Sequence, residues 1–137
     1  NGRQSVPYPG VIDGLERFGR SGVALACVTN KVEAFTLPLL EATGLNRYFR
    51  LVVSGDSLPR HKPDPMQMVW ACGALGVSPA HSLAIGDSRH DAAAARAAGA
   101  TVFIVPYGYN EGSDVQGLDC DAIVGSIDEA ARRVCLL

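Results

Sequence analysis

Ser82 to Gly99 reads SLAIGDSRHDAAAARAAG, and this stretch decides the fold. Ser82 to Ile85 is a short apolar run that stops abruptly at Gly86 and Asp87, as a buried strand does when it leaves a sheet. Asp91 to Gly99 is rich in alanine and closed by a glycine, a good helix former with a helix stop. A strand that enters a helix through a Gly-Asp turn is half of a β-α-β crossover unit.

The same alternation continues outward in both directions. Downstream, Thr101 to Val105 (TVFIV) reads as a strand and Asp121 to Val124 (DAIV) as a shorter one, before a last helix opened by the capping box Ser126-x-x-Glu129. Upstream lie a helix from about Gly10 to Gly19, a buried strand from Val23 to Thr29, and a helix from about Lys31 to Thr43 that Pro38 should kink or restart. A short strand, Leu51 to Gly55, follows. Asp64 and Pro65 then supply a cap and a first-turn proline for a helix to Leu75. Apolar strands alternating with helices argue for an α/β, Rossmann-like fold, a mainly parallel sheet with helices on both faces. No repeat, low-complexity tract or linker divides the chain.

With 137 residues, 47% apolar and 19% charged, the chain fits one globular domain with one core. A net charge of -2 gives no basic footprint for nucleic acid or an anionic membrane, and favours a small-molecule or protein partner. The longest apolar run, Val23 to Val28, is far too short to cross a bilayer. The four cysteines, Cys27, Cys72, Cys120 and Cys135, have no zinc or C-x-x-C spacing and read as reduced core thiols, which suits a cytoplasmic protein. The chain starts at Asn1 in a loop-like segment, and an upstream segment is expected.

In open parallel sheets, ligands bind beyond the carboxyl ends of the strands. Three polar sets fall there: Thr29-Asn30, Lys62-Pro63-Asp64-Pro65 and Gly86 to Asp91. A hydroxyl, an amide, a lysine and two carboxylates suit phosphoryl chemistry with a hard divalent cation. Magnesium needs only one or two protein carboxylates, which makes Asp87 a candidate ligand. Lys62 would be a point charge on phosphate oxygens, and Thr29 and Asn30 would donate hydrogen bonds to the same group. Asp91, beginning the next helix, would hold Lys62 or a metal-bound water. From its polar loop Lys62 should act through charge more than packing, so Lys62→Met should cost turnover and not stability. Each set alone also reads as turn or cap chemistry, but the three in this order leave that reading little room.

VTN at Val28 to Asn30, K-P-D-P at Lys62 to Pro65 and GDSRHD at Gly86 to Asp91 resemble the second, third and fourth motifs of the haloacid dehalogenase superfamily. YPGV at Tyr8 to Val11 resembles the return from a helical cap into the core, and PYGYNEG at Pro106 to Gly112 is similar to bacterial phosphoglycolate phosphatases. The resemblance implies a three-layer core and two-step hydrolysis of a small phosphate monoester through an aspartyl-phosphate, with Mg2+ as cofactor. It implies that Thr29 and Asn30 bind the phosphoryl group, Lys62 offsets its charge, Asp87 ligates the metal and Asp91 supports lysine and metal shell.

The family's first motif, an apolar strand running into D-x-D-G-T, is absent from these 137 residues. The only D-x-D, Asp119-Cys120-Asp121, precedes a strand and reads as turn polarity. The expectation is therefore a partial core domain, residues 1–137, lacking the nucleophile strand and the cap. By itself it should be inactive, and it is a candidate for strand exchange or homo-oligomer formation. Another phosphatase, a pyrophosphatase, a β-phosphoglucomutase or a nucleophile-free binding module would fit the same motifs. His61 and His90 lack catalytic partners at a recognisable spacing and read as solvent-facing, while Trp70, Met66 and Met68 read as packing.

Overall fold

The computed structural model describes residues 9–106 and 117–135. The chain folds as two compact units, one made of the residues up to Pro59 with those from Ser126 onward, the other of Arg60 to Gly125.

The first unit contains helix α1 (Val11–Arg20), strand β1 (Ala26–Val28), helix α2 (Glu33–Thr43), strand β2 (Leu51–Val53) and helix α5 (Ile127–Val134). β1 and β2 pair in parallel, Ala26 opposite Leu51 and Val28 opposite Val53, with α2 as the crossover between them. α1 buries Gly14, Leu15 and Phe18, and α5 buries Ala130 and Ala131. A Cβ at Gly14 would stand 2.6 Å from the Asp128 nitrogen, so only glycine allows this helix approach. Arg17 Nε donates to Asp128 Oδ1 at 3.1 Å across the same contact. Ser126 Oγ accepts from Glu129 N at 3.0 Å as the box requires, while the Glu129 carboxylate also accepts from Arg133.

α2 runs through Pro38 without interruption, so the proline does not start a new helix. Proline removes one N–H and orphans the carbonyl of Ala34, and both residues are exposed, where water can serve that carbonyl.

The second unit contains helix α3 (Met66–Leu75), strand β3 (Leu83–Gly86), helix α4 (Arg89–Ala98), strand β4 (Thr101–Ile104) and strand β5 (Ala122–Ile123). The sheet order is β3-β4-β5, all parallel, with Leu83 opposite Thr101 and Phe103 opposite Ala122. Ala92 and Ala95 of α4 pack with Ala100, Val102 and Ile104 into a core that Met68, Ala84, Leu118 and Cys120 flank. Small side chains let the helix lie close to the strands. Asp119 and Asp121 are structural, as expected: Arg96 bridges them, and Asp121 Oδ2 accepts from Val102 N at 2.9 Å.

Three expectations need correction. β1 is three residues long instead of seven, and both β1 and β3 are half-buried instead of buried, each standing at the edge of its ladder. Trp70 is 47% exposed on α3, so it is not a core residue. α3 begins at Met66, with Pro65 just outside it, although Asp64 Oδ1 still accepts from Met66 N at 2.9 Å. The four cysteines are free thiols, Cys72 and Cys135 buried. Among the described residues no helix is long and apolar enough to cross a membrane. Tyr8 and the PYGYNEG segment beyond Pro106 lie outside the described residues.

Candidate active site

The carboxyl end of β3 sets the geometry of the second unit. Gly86 ends the strand, and a Cβ there would overlap the Asp91 carboxyl group, so glycine is what allows that carboxylate to fold back over the strand end. Asp91 Oδ2 accepts from Asp87 N at 2.9 Å, from Ser88 N at 3.2 Å and from Ser88 Oγ at 3.2 Å. Ser88 Oγ in turn accepts from Asp91 N at 3.4 Å, completing a capping box on α4. Asp91 is thus the third residue of the helix and not its start, and it seals the first turn.

The other oxygen of the same carboxylate, Oδ1, accepts from Lys62 Nζ at 2.5 Å. Lysine, one of the two partners the sequence leaves open for Asp91, is in direct contact with it. Each side chain of the pair is only 11% exposed, so the Lys62 side chain is far more buried than its polar loop suggests. The Lys62–Pro63 peptide is cis. Burial opposes ionisation of Asp91, but Lys62 and the hydrogen bonds from Asp87 and Ser88 outweigh it and hold the carboxyl below its usual range.

Asp87 has the opposite bias. Burial and then the neighbouring Asp91 charge push its carboxyl above the usual range, against the pull of Lys62. Two carboxylates side by side, one committed to a lysine and the other disfavoured as an anion, suit a cation at the second. Among the described residues no group of three or more His, Cys, Asp and Glu side chains is gathered for a metal. That donor set fits magnesium, which takes one or two protein carboxylates and completes its shell with water and phosphate oxygens. It does not fit a structural zinc, which needs four protein ligands.

Thr29 and Asn30 follow β1 in the first unit. Thr29 N donates to Val53 O, continuing the ladder, and Thr29 Oγ1 accepts from Lys31 N at 3.1 Å. Gly55 N donates to Lys31 O at 2.7 Å, and a Cβ at Gly55 would overlap the Asn30 carbonyl, so this turn is pressed directly against the end of β2. His61 is exposed with Nδ1 at 3.1 Å from Lys62 O, and His90 is half-buried.

Three contributors were missed in the sequence reading. Asp56 Oδ1 accepts from Glu33 N and caps α2 from 23 residues away. Ser88 is the serine of the box, for which S-x-x-D was a legible clue. Gln67 is fully buried and its Oε1 accepts from Lys62 N at 3.2 Å.

Comparison with known proteins adds a family and relatives. The haloacid dehalogenase-like hydrolase family profile matches residues 1–105. A phosphoglycolate phosphatase of Nitrosospira multiformis is 60% identical over 127 residues, 93% of this chain and 56% of that protein. One of Thiobacillus denitrificans is 55% identical over 130 residues, 95% of this chain and 57% of that protein. The crystal structure of a predicted phosphoglycolate phosphatase from Haemophilus somnus superposes with a TM-score of 0.87 at 35% identity, over 92% of this chain and 56% of that one. The chain therefore spans little more than half the length of the curated relatives it matches.

Proposed function

Because the chain belongs to the haloacid dehalogenase-like hydrolases, we propose that the whole protein is a magnesium-dependent phosphate-monoester hydrolase whose substrate is 2-phosphoglycolate. The 137 residues are then part of its core domain, and the cap and the strand bearing the nucleophile lie elsewhere in the protein. The observation that carries the reading is the charge arrangement at the end of β3: a buried lysine fixed on Asp91, with Asp87 beside it. The substrate rests on the relatives at 55% and 60% identity, both phosphoglycolate phosphatases.

In this reading Asp87 holds Mg2+, which supplies positive charge to phosphate oxygens. Lys62 places a second positive charge against the transferring phosphoryl group, and Asp91 fixes where that charge sits. Thr29 and Asn30 keep the role that the family's second motif gives them, a hydroxyl and an amide that hydrogen-bond phosphate. Positioning and charge are what phosphoryl transfer chiefly requires of a protein. Attack on phosphorus comes from an aspartate outside these residues: the ester P–O bond breaks and the alcohol, glycolate, leaves as the aspartyl-phosphate forms, and water then releases inorganic phosphate and restores the carboxylate. Without that aspartate the 137-residue chain has no turnover of its own, since phosphate-monoester hydrolysis is among the slowest uncatalysed reactions.

The test is a substrate panel on the purified full-length protein, with Mg2+ and with EDTA. The highest kcat/KM is expected for 2-phosphoglycolate, and only with Mg2+. A clear preference for hexose phosphates or pyrophosphate would overturn the substrate, and metal-independent turnover would overturn the mechanism.

A further inference from the structure

We infer that Gln67 is a positioning residue for Lys62, an inference that rests on the reading of Lys62 as the phosphate-facing charge. Gln67 lies in the first turn of α3, is 0% exposed, and is among the largest fully buried side chains described. Its Oε1 accepts the backbone N–H of Lys62 at 3.2 Å. Lys62 is therefore fastened at both ends: the main chain by Gln67 and the ammonium by Asp91.

A long aliphatic side chain with a point charge at its tip loses a large rotamer entropy when ordered, and its tip is only as well placed as its root. Asp91 alone fixes one end of a flexible tether. Gln67 fixes the other from a helix whose own first turn is tied by Asp64 to Met66 N, so the loop between them has little freedom. A methionine or leucine would fill a similar space without the cost of burying an amide, about 1–3 kcal/mol when its bonds go unmade. A buried amide is kept where its polar atoms are used, and here the oxygen is used on the residue that carries the charge.

Two variants of the full-length protein test this. Gln67→Met keeps the volume and loses the acceptor, and Gln67→Asn keeps an amide one methylene short of the Lys62 N–H. Hydrogen exchange at the Lys62 amide reads the bond directly. Titration with inorganic phosphate in the presence of Mg2+ reads the charge, and neither readout needs turnover, so both stand even if the substrate panel fails. Loss of one such bond corresponds to roughly a threefold to tenfold effect. Lys62 amide exchange should accelerate by at least that factor in whichever variant folds, with the amides of β4 unchanged. Phosphate affinity should weaken by a similar factor. Faster exchange with unaltered phosphate affinity would reduce Gln67 to a loop fastener and overturn the inference, as would unchanged exchange at Lys62.

Discussion

Lys62 Nζ and Asp91 Oδ1 meet at 2.5 Å, from positions 29 residues apart, with about a tenth of either side chain exposed. Removing one partner of such a pair leaves the other charge buried, which costs roughly 3–5 kcal/mol. Lys62→Met in the full-length protein should therefore lower the urea midpoint as well as turnover. The double variant Lys62→Met/Asp91→Asn, which removes both charges and keeps a side-chain oxygen for the first turn of α4, should recover part of the loss. A single variant with a wild-type midpoint would contradict the buried pair.

Asp87→Asn should separate function from stability. It removes a carboxylate that burial and Asp91 disfavour as an anion, so the melting temperature should hold or rise. Magnesium-dependent turnover should vanish, because the amide is a poor ligand for a hard cation. Near-normal activity with an ordinary magnesium requirement would rule Asp87 out as the ligand.

The close approach of α1 and α5 makes two glycines of α1, Gly14 and Gly19, answer differently to the same substitution. Alanine in a helix interior gains up to about 1 kcal/mol over glycine, but overpacking costs about 1–3 kcal/mol. Gly14→Ala meets the backbone of α5 and should be destabilising, while a Cβ at Gly19, with nothing within 4 Å, should be neutral or stabilising. Thermal melts of the two variants should fall on opposite sides of wild type or leave Gly14→Ala clearly the lower.

Acid should destabilise the fold from below about pH 5. Val102 N–H and then Arg96 hold Asp121 below the usual carboxylate range, and Arg132 and then Arg17 do so for Asp128. A depressed carboxylate contributes fully above its unfolded pKa, about 4, and its contribution is lost as pH falls through the folded value. Asp87, with its pKa raised, acts in the opposite sense. The urea midpoint should be level from pH 7 to about 5 and then fall, less steeply in Asp121→Asn. A midpoint that climbs on acidification would show that the raised carboxylate dominates.

What was legible in the sequence was what local chemistry decides. Ser82 to Gly99 gave a strand, a Gly-Asp turn and a helix close to where they stand, and Ser126 caps α5 as its pattern requires. Strand length was not legible, because a ladder is as long as its shorter partner. The seven residues from Val23 to Thr29 pair over three, since β2 offers three. The depth of Lys62 was hidden for a similar reason: its partner sits 29 residues away, and a lysine between a histidine and a proline carries no mark of burial. Gln67 and Asp56 bind backbone N–H groups, which any residue offers, so no side-chain pattern announces them.

Asp91 spends one oxygen on the first turn of α4 and the other on Lys62. Helix initiation and charge placement are consequently one equilibrium, and fraying of a single turn would release the lysine. Under the proposed function, a substitution at Ser88, which need touch no substrate, would be felt as a loss of the charge that Lys62 supplies to phosphate. Evolutionary tolerance at that serine should then track activity more closely than thermal stability.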